Sequence, residues 1–181
     1  MAEYNPIVGD VLSFAWPGFF GAAIRIRNYY THGFDREKNR WTHTAIIGKV
    51  SDEQALVYEA RAGGFQKSWY TIGELRHYLE KNHMKVCRPK HTLKDVKKHC
   101  DSMLGRPYAY HQIAILGYTI LGTKALEKFT TSRAVICSES VARILKKSNP
   151  TLDLGKEFGK RLDYIIPLDY TYSQHFDFIT Q

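Results

Sequence analysis

Three strand-like runs follow one another between residues 41 and 69 with only turn-length gaps, and gaps that short join antiparallel neighbours. The first, residues 41–49, opens Trp-Thr-His-Thr-Ala-Ile-Ile; the second, residues 54–60, follows the turn Ser51-Asp52-Glu53. Ala62-Gly63-Gly64 then turns the chain into a third, residues 65–69. An earlier strand, residues 11–14, follows the Gly9-Asp10 turn. Residues 19–30 read as a helix, and a charged loop runs on to Arg40.

Helix signals dominate the remainder. Thr71-Ile-Gly-Glu74 is a capping box that opens a helix running to about Lys81. Residues 86–88 read as a strand stopped by Pro89. Thr92 is expected to cap a helix through Leu104, with Leu93, Val96, Cys100 and Leu104 on one buried face and Gly105 ending it. Residues 111–121 read as an apolar helix. Residues 138–147 read as an amphipathic one with Val141, Ile144 and Leu145 inward, and residues 164–168 as a last strand. The pattern predicts an α+β fold, a mostly antiparallel sheet with helices packed around it.

A chain of 181 residues, 44% apolar and 24% charged, can bury a core without disulfide staples, so a single domain over residues 1–181 is expected. That composition excludes disordered, collagen-like and disulfide-framework chains. The most apolar stretch, residues 113–122, is too short to span a bilayer, and no secretory signal opens the sequence. A cytoplasmic protein is therefore expected.

Cys87, Cys100 and Cys137 make an odd count with no Cys-x-x-Cys spacing, which suits a reducing compartment. Cys137 has the most informative surroundings. Ala-Val-Ile leads into it and Ser-Glu-Ser follows, which places it at a helix N-terminus. There, unpaired amides and the positive end of the helix dipole stabilise a thiolate, the reactive form. Glu139 opposes this unless its side chain turns away to solvent. The competing reading is an inert buried thiol.

His43 stands in line with Trp41, Ala45 and Ile47, either a satisfied core histidine or a base held rigid at a cleft. Glu59 needs a partner if it is buried. A neighbouring imidazole would serve, and so would Arg61 or Lys67 at the rim.

Read together, these segments resemble a known family. Gly9-Asp10-Val-Leu-Ser-Phe, Trp41-Thr-His43-Thr-Ala-Ile-Ile-Gly, Val57-Tyr-Glu59-Ala, Gly105-Arg-Pro-Tyr108-Ala-Tyr, Val135-Ile-Cys137-Ser-Glu139-Ser and Ile166-Pro-Leu168 are similar to motifs of the circularly permuted NlpC-type cysteine hydrolases, the YiiX-like branch of the papain-like superfamily. In that family the histidine precedes the cysteine along the chain, as here. The resemblance implies a permuted papain-like fold with Cys137 as nucleophile, His43 as general base and then acid, and Glu59 orienting the imidazole. It implies Tyr108 and the Cys137 backbone amide at the oxyanion site, and no cofactor. The charged loop from Thr31 to Arg40 and the apolar segment after Tyr110 depart from the family pattern.

The implied substrates are a peptide, a cell-wall peptide or a lipid ester, since relatives of this type include lipid acyltransferases. Cell-wall substrates would require delivery by another route, such as a phage particle or lysis system.

The clustered His83, Cys87, His91, His99 and Cys100 fit no zinc spacing, and no phosphate-binding glycine pattern occurs, so no metal is expected. The formal charge is +8, concentrated in two basic runs, residues 81–98 and 146–161. Nucleic-acid binding is the non-enzyme alternative these runs raise; two solvated helix faces are the expectation, since no recognised binding motif accompanies them.

Overall fold

The short gaps between strand runs produce the expected antiparallel pairing, and the sheet extends beyond them on the far side. The computed structural model describes residues 3–16, 22, 24–25, 39–109 and 136–179. The strands are β1 (Val11–Phe14), β2 (His43–Val50), β3 (Gln54–Arg61), β4 (Gly64–Thr71), β5 (Met84–Pro89) and β6 (Phe176–Ile179). They form one sheet in the order β4-β3-β2-β1-β5-β6, with every neighbouring pair antiparallel. The helices are α1 (Ile72–Glu80), α2 (Val96–Asp101), α3 (Cys137–Ser148) and the single turn α4 (Leu154–Glu157). The architecture is α+β.

Side-chain alternation divides the sheet into two buried faces. On one, Leu12, Phe14, Ala45, Ile47, Val57 and Val86 pack under Tyr4 and Leu75 of α1. On the other, Val11, Ile46, Tyr58, Ala60 and Cys87 meet Val141, Ile144 and Leu145 of α3 and Val96 and Cys100 of α2. Helices on both sides explain why the first six residues of β2 are all buried.

The α1 capping box forms as expected: the Thr71 hydroxyl accepts from Glu74 N–H, and Glu74 accepts from Thr71 N–H. Gly64 closes the β3–β4 turn at φ +105, and a Cβ there would lie 2.5 Å from the Arg106 carbonyl oxygen.

Three expectations are corrected. The helix expected from Thr92 begins only at Val96, because tertiary bonds claim the preceding backbone. Lys94 N–H donates to Ser148 O at 3.0 Å, and Asn149 Nδ2 donates to Thr92 O at 3.1 Å. Leu93 and Leu104 still pack against the core.

The strand expected over residues 164–168 is a non-strand segment between 3₁₀ turns at Leu162–Tyr164 and Asp169–Thr171. Asp169 Oδ2 takes the Ile166 N–H at 2.7 Å, and Pro167 has none to offer a ladder. The last strand is instead β6. Trp41 lies before β2 and packs with Ile166 and Leu168, apart from the His43 face. The helices expected over residues 111–121 and, save for three residues, 19–30 lie outside the described residues, as does most of the charged loop before Asn39.

The turn into β1 is anchored by fully buried Asp10, which accepts from Tyr4 OH, Ile7 N–H and the Arg88 guanidinium. Replacing Asp10 with Ala would strand these donors. A loss of about 3 kcal/mol is expected in denaturant unfolding, and a change under 1 kcal/mol would contradict the anchoring role.

Candidate active site

Helix α3 starts at Cys137. Its N-cap, Ile136, is extended at φ −100 and ψ 164 and offers no side-chain cap, so the first amides are free for other acceptors. The first turn is fixed by two bonds from outside and one from within. Tyr170 OH donates to Ser138 O at 2.6 Å, Ser138 Oγ to Ile165 O at 2.6 Å, and Ser140 Oγ to Cys137 O at 2.7 Å. The amphipathic body of α3 then packs onto β2 and β3, which sets the sulfur at the end of the sheet.

His43 is the first residue of β2 and pairs with Phe14, the last of β1. Alternation assigns it to the face opposite α3, with Ala45 and Ile47. At the strand's first position, however, the ring reaches the sulfur around the sheet end. The His43 ring and the Thr44 and Ser138 N–H groups lie close enough to the sulfur to stabilise its charged form. His43 Nε2 lies 2.7 Å from Glu59 Oε2, which leaves Nδ1 for the sulfur. Glu59, two residues from the end of β3, is fully buried. Its other oxygen, Oε1, is 2.7 Å from Arg61 Nη2 and accepts from Tyr70 OH at 3.4 Å. Sequence reading left imidazole and Arg61 as alternative partners for Glu59. The structure gives it both, while Lys67 lies 4.0 Å from Asp101 instead.

These contacts set the electrostatics. Burial pushes the Cys137 thiol up, but the charge and hydrogen bond of His43, with the two backbone donors, overcome it and leave the thiol below its ordinary range. Burial pulls His43 down, and the charge and hydrogen bond of Cys137, then Glu59, outweigh it to raise the ring to about 9. Burial likewise raises Glu59, and bonds from His43 and then Arg61 bring its carboxyl below the usual range. The array therefore favours thiolate, imidazolium and carboxylate in a row. Cys137 is 2% exposed and His43 6%, so this chain of charges is nearly dry. Cys87 and Cys100 are pushed up to about 12, chiefly by burial.

Glu139 does not turn to solvent. It is 1% exposed, and its Oε1 takes Arg143 Nε at 2.7 Å one turn along α3. Burial pushes its carboxyl up, opposed by Arg143. Tyr108 packs on Ile136, the residue before Cys137, and against the main core.

Sequence reasoning missed Trp16, whose ring stacks on His43 with centroids 4.2 Å apart and planes at 4°. It also missed Tyr70 and the Thr44 N–H. A tryptophan two residues past a strand carries no sequence mark of what it will cover.

The basic runs are interleaved with acids. Arg88 pairs with Asp10, Lys97 with Asp101, Lys146 with Asp153, Lys160 with Asp169 and Arg161 with Asp163. Among the described residues no three His, Cys, Asp or Glu side chains gather as metal ligands, and no helix is long and apolar enough to cross a membrane.

No protein-family model matches the chain, and a search of curated proteins finds no match.

Proposed function

We propose that the chain is a thiol hydrolase with a permuted NlpC-type, papain-like fold, acting on an amide or ester through an acyl-enzyme. The observation that carries this reading is the row Cys137–His43–Glu59 at the first residue of α3, with His43 Nε2 2.7 Å from Glu59 and the ring's charge acting on the sulfur. A thiolate paired with imidazolium is a nucleophile already deprotonated, next to an acid positioned for the leaving group.

In this reading the Cys137 sulfur attacks the substrate carbonyl carbon. A C–S bond forms, and the carbonyl π electrons move to oxygen. Collapse of that oxyanion breaks the bond to the leaving nitrogen or oxygen, which takes the proton from His43 and departs as amine or alcohol. Neutral His43 then removes a proton from water as the water attacks the thioester. The second collapse releases the acid and restores the thiolate with imidazolium. Glu59 keeps the ring oriented and stabilises its charge throughout. The Cys137 N–H and Tyr108 are the proposed oxyanion donors. The substrate classes that suit this chemistry are a peptide, including cell-wall peptide, and a lipid ester.

The test is covalent trapping. On incubation with p-nitrophenyl acetate, intact-protein mass spectrometry is expected to show one acetyl group, mapped to Cys137. Cys137→Ser is expected to lose turnover at least about a thousandfold. Its melting midpoint should stay within about 3 °C of the parent, equivalent to roughly 1 kcal/mol. Undiminished turnover in Cys137→Ser, or acylation elsewhere, would contradict the reading.

A further inference from the structure

Arg61 ends β3, two residues beyond Glu59, so both side chains leave the same face of the strand. Its Nη2 lies 2.7 Å from Glu59 Oε1 and donates to Tyr70 OH at 2.5 Å. Its guanidinium carbon sits 4.6 Å from the centroid of the Trp16 ring, which also stacks parallel on His43 and packs against Phe14. The Thr42 hydroxyl fixes Trp16 by accepting from its N–H and donating to its carbonyl, both at 3.0 Å. The contacts close a circuit: His43 to Glu59, Glu59 to Arg61, Arg61 to Trp16, and Trp16 back to His43.

One atom in this circuit is left unsatisfied. Arg61 Nε is buried without an acceptor. A buried, unpaired donor on a charged group is costly, and here it is offset through Nη2, which bonds Glu59 and Tyr70 OH. The side chain is held by its carboxylate, the Tyr70 hydroxyl and its aromatic platform.

We propose that Arg61 is a positioning residue of this site: it anchors the Glu59 carboxylate against His43 and, through Trp16, fixes the plane of the imidazole toward Cys137. The inference rests on the thiolate–imidazolium reading above. A planar guanidinium suits both tasks, since it can bond a carboxylate edge-on while stacking flat on an indole.

Among the described residues, the groups facing Glu59 are His43 from β2, Arg61 from its own strand, Tyr70 from β4 and, through His43, Cys137 from α3. With the Arg61 charge removed, Glu59 binds a proton more readily. A protonated Glu59 no longer supports the imidazolium, and the thiolate takes its proton back. The acid limb of Cys137 reactivity must then move to higher pH.

The experiment is the pH profile of iodoacetamide alkylation at Cys137, followed by peptide mapping in parent, Arg61→Gln and Arg61→Lys proteins. Arg61→Gln is expected to shift the acid limb upward by roughly one pH unit, and Arg61→Lys, which keeps the charge, to restore it. A limb unmoved in Arg61→Gln, with only a lowered melting midpoint, would make Arg61 a structural staple and overturn the proposal. Should Arg61→Gln not fold, Glu59→Gln and the Glu59→Gln/Arg61→Gln pair decide. Because Arg61 acts through Glu59, the double variant's limb should lie no higher than the single's, and a further rise would overturn the proposal. A parent protein with no depressed limb at all would instead overturn the thiolate–imidazolium reading, so the two failures are distinguishable.

Discussion

At pH 7, iodoacetamide is expected to modify Cys137 in the folded protein at least about a thousandfold faster than Cys87 or Cys100. Alkylation requires thiolate. A thiol pushed up to about 12, as Cys87 and Cys100 are, is ionised in roughly one molecule per hundred thousand at pH 7. Cys137 lies below its ordinary range because His43 and two backbone N–H groups hold the charged form. Intrinsic nucleophilicity falls with thiol basicity, but only with a slope near 0.4–0.5, so it offsets about half of the ionisation advantage on a logarithmic scale. All three sulfurs are buried, so access does not favour Cys137 by itself. Peptide mapping after a timed quench reads the result, and comparable labelling of the three cysteines would remove the case for an activated thiol.

His43→Ala is expected to cut that labelling at least about a hundredfold at pH 7 and to abolish measurable turnover. Burial alone would then act on the sulfur, opposed by the Thr44 and Ser138 donors but by no charge. Glu59 keeps Arg61 as a partner, so the variant retains a paired carboxylate and should fold. The pH dependence follows from the direction of each shift. His43 binds its proton more tightly in the folded chain than at the unfolded value of 6.5. The stability this contributes is fully present below pH 6.5 and is lost as the pH rises through about 9. Cys137 is shifted the opposite way. Its contribution is present above the ordinary thiol value of 9 and fades as the pH falls through the lowered one. Turnover, which needs both charges, should fall above about pH 9, while labelling of the parent persists there because the thiolate remains. A thiol titration unchanged by His43→Ala would take the ring out of the mechanism.

Much of the sheet was legible because period-2 runs and turn residues act locally. Residues 11–14 form a strand as read, and Gln54–Arg61 extends the expected run by one residue. The Thr71 capping box is equally local, since both hydrogen bonds join residues three apart. The errors fall where distant groups claim the backbone. Thr92 and Lys94 bond the end of α3 instead of starting a helix, and Asp169 diverts Ile166 from a ladder. Ile165, Ile166 and Leu168 are buried as their apolar character demands, yet packing alone does not choose between strand and turn. For the site, the order His43, Glu59, Cys137 named the residues that meet. Trp16 and Tyr70 were not legible, because their parts depend on which strands neighbour one another at the sheet end.

The central claim is that a protonated imidazole faces a sulfur anion. The most direct measurement is a ¹⁵N NMR titration of the His43 ring, assigned by its loss in His43→Ala and repeated in Cys137→Ser. The account predicts an imidazolium at pH 7.5 that loses its proton near pH 9 in the parent, and at distinctly lower pH in Cys137→Ser, because the sulfur's charge and hydrogen bond are the largest influences raising it. A ring already neutral at pH 7.5, or one that titrates identically with and without the sulfur, would contradict it.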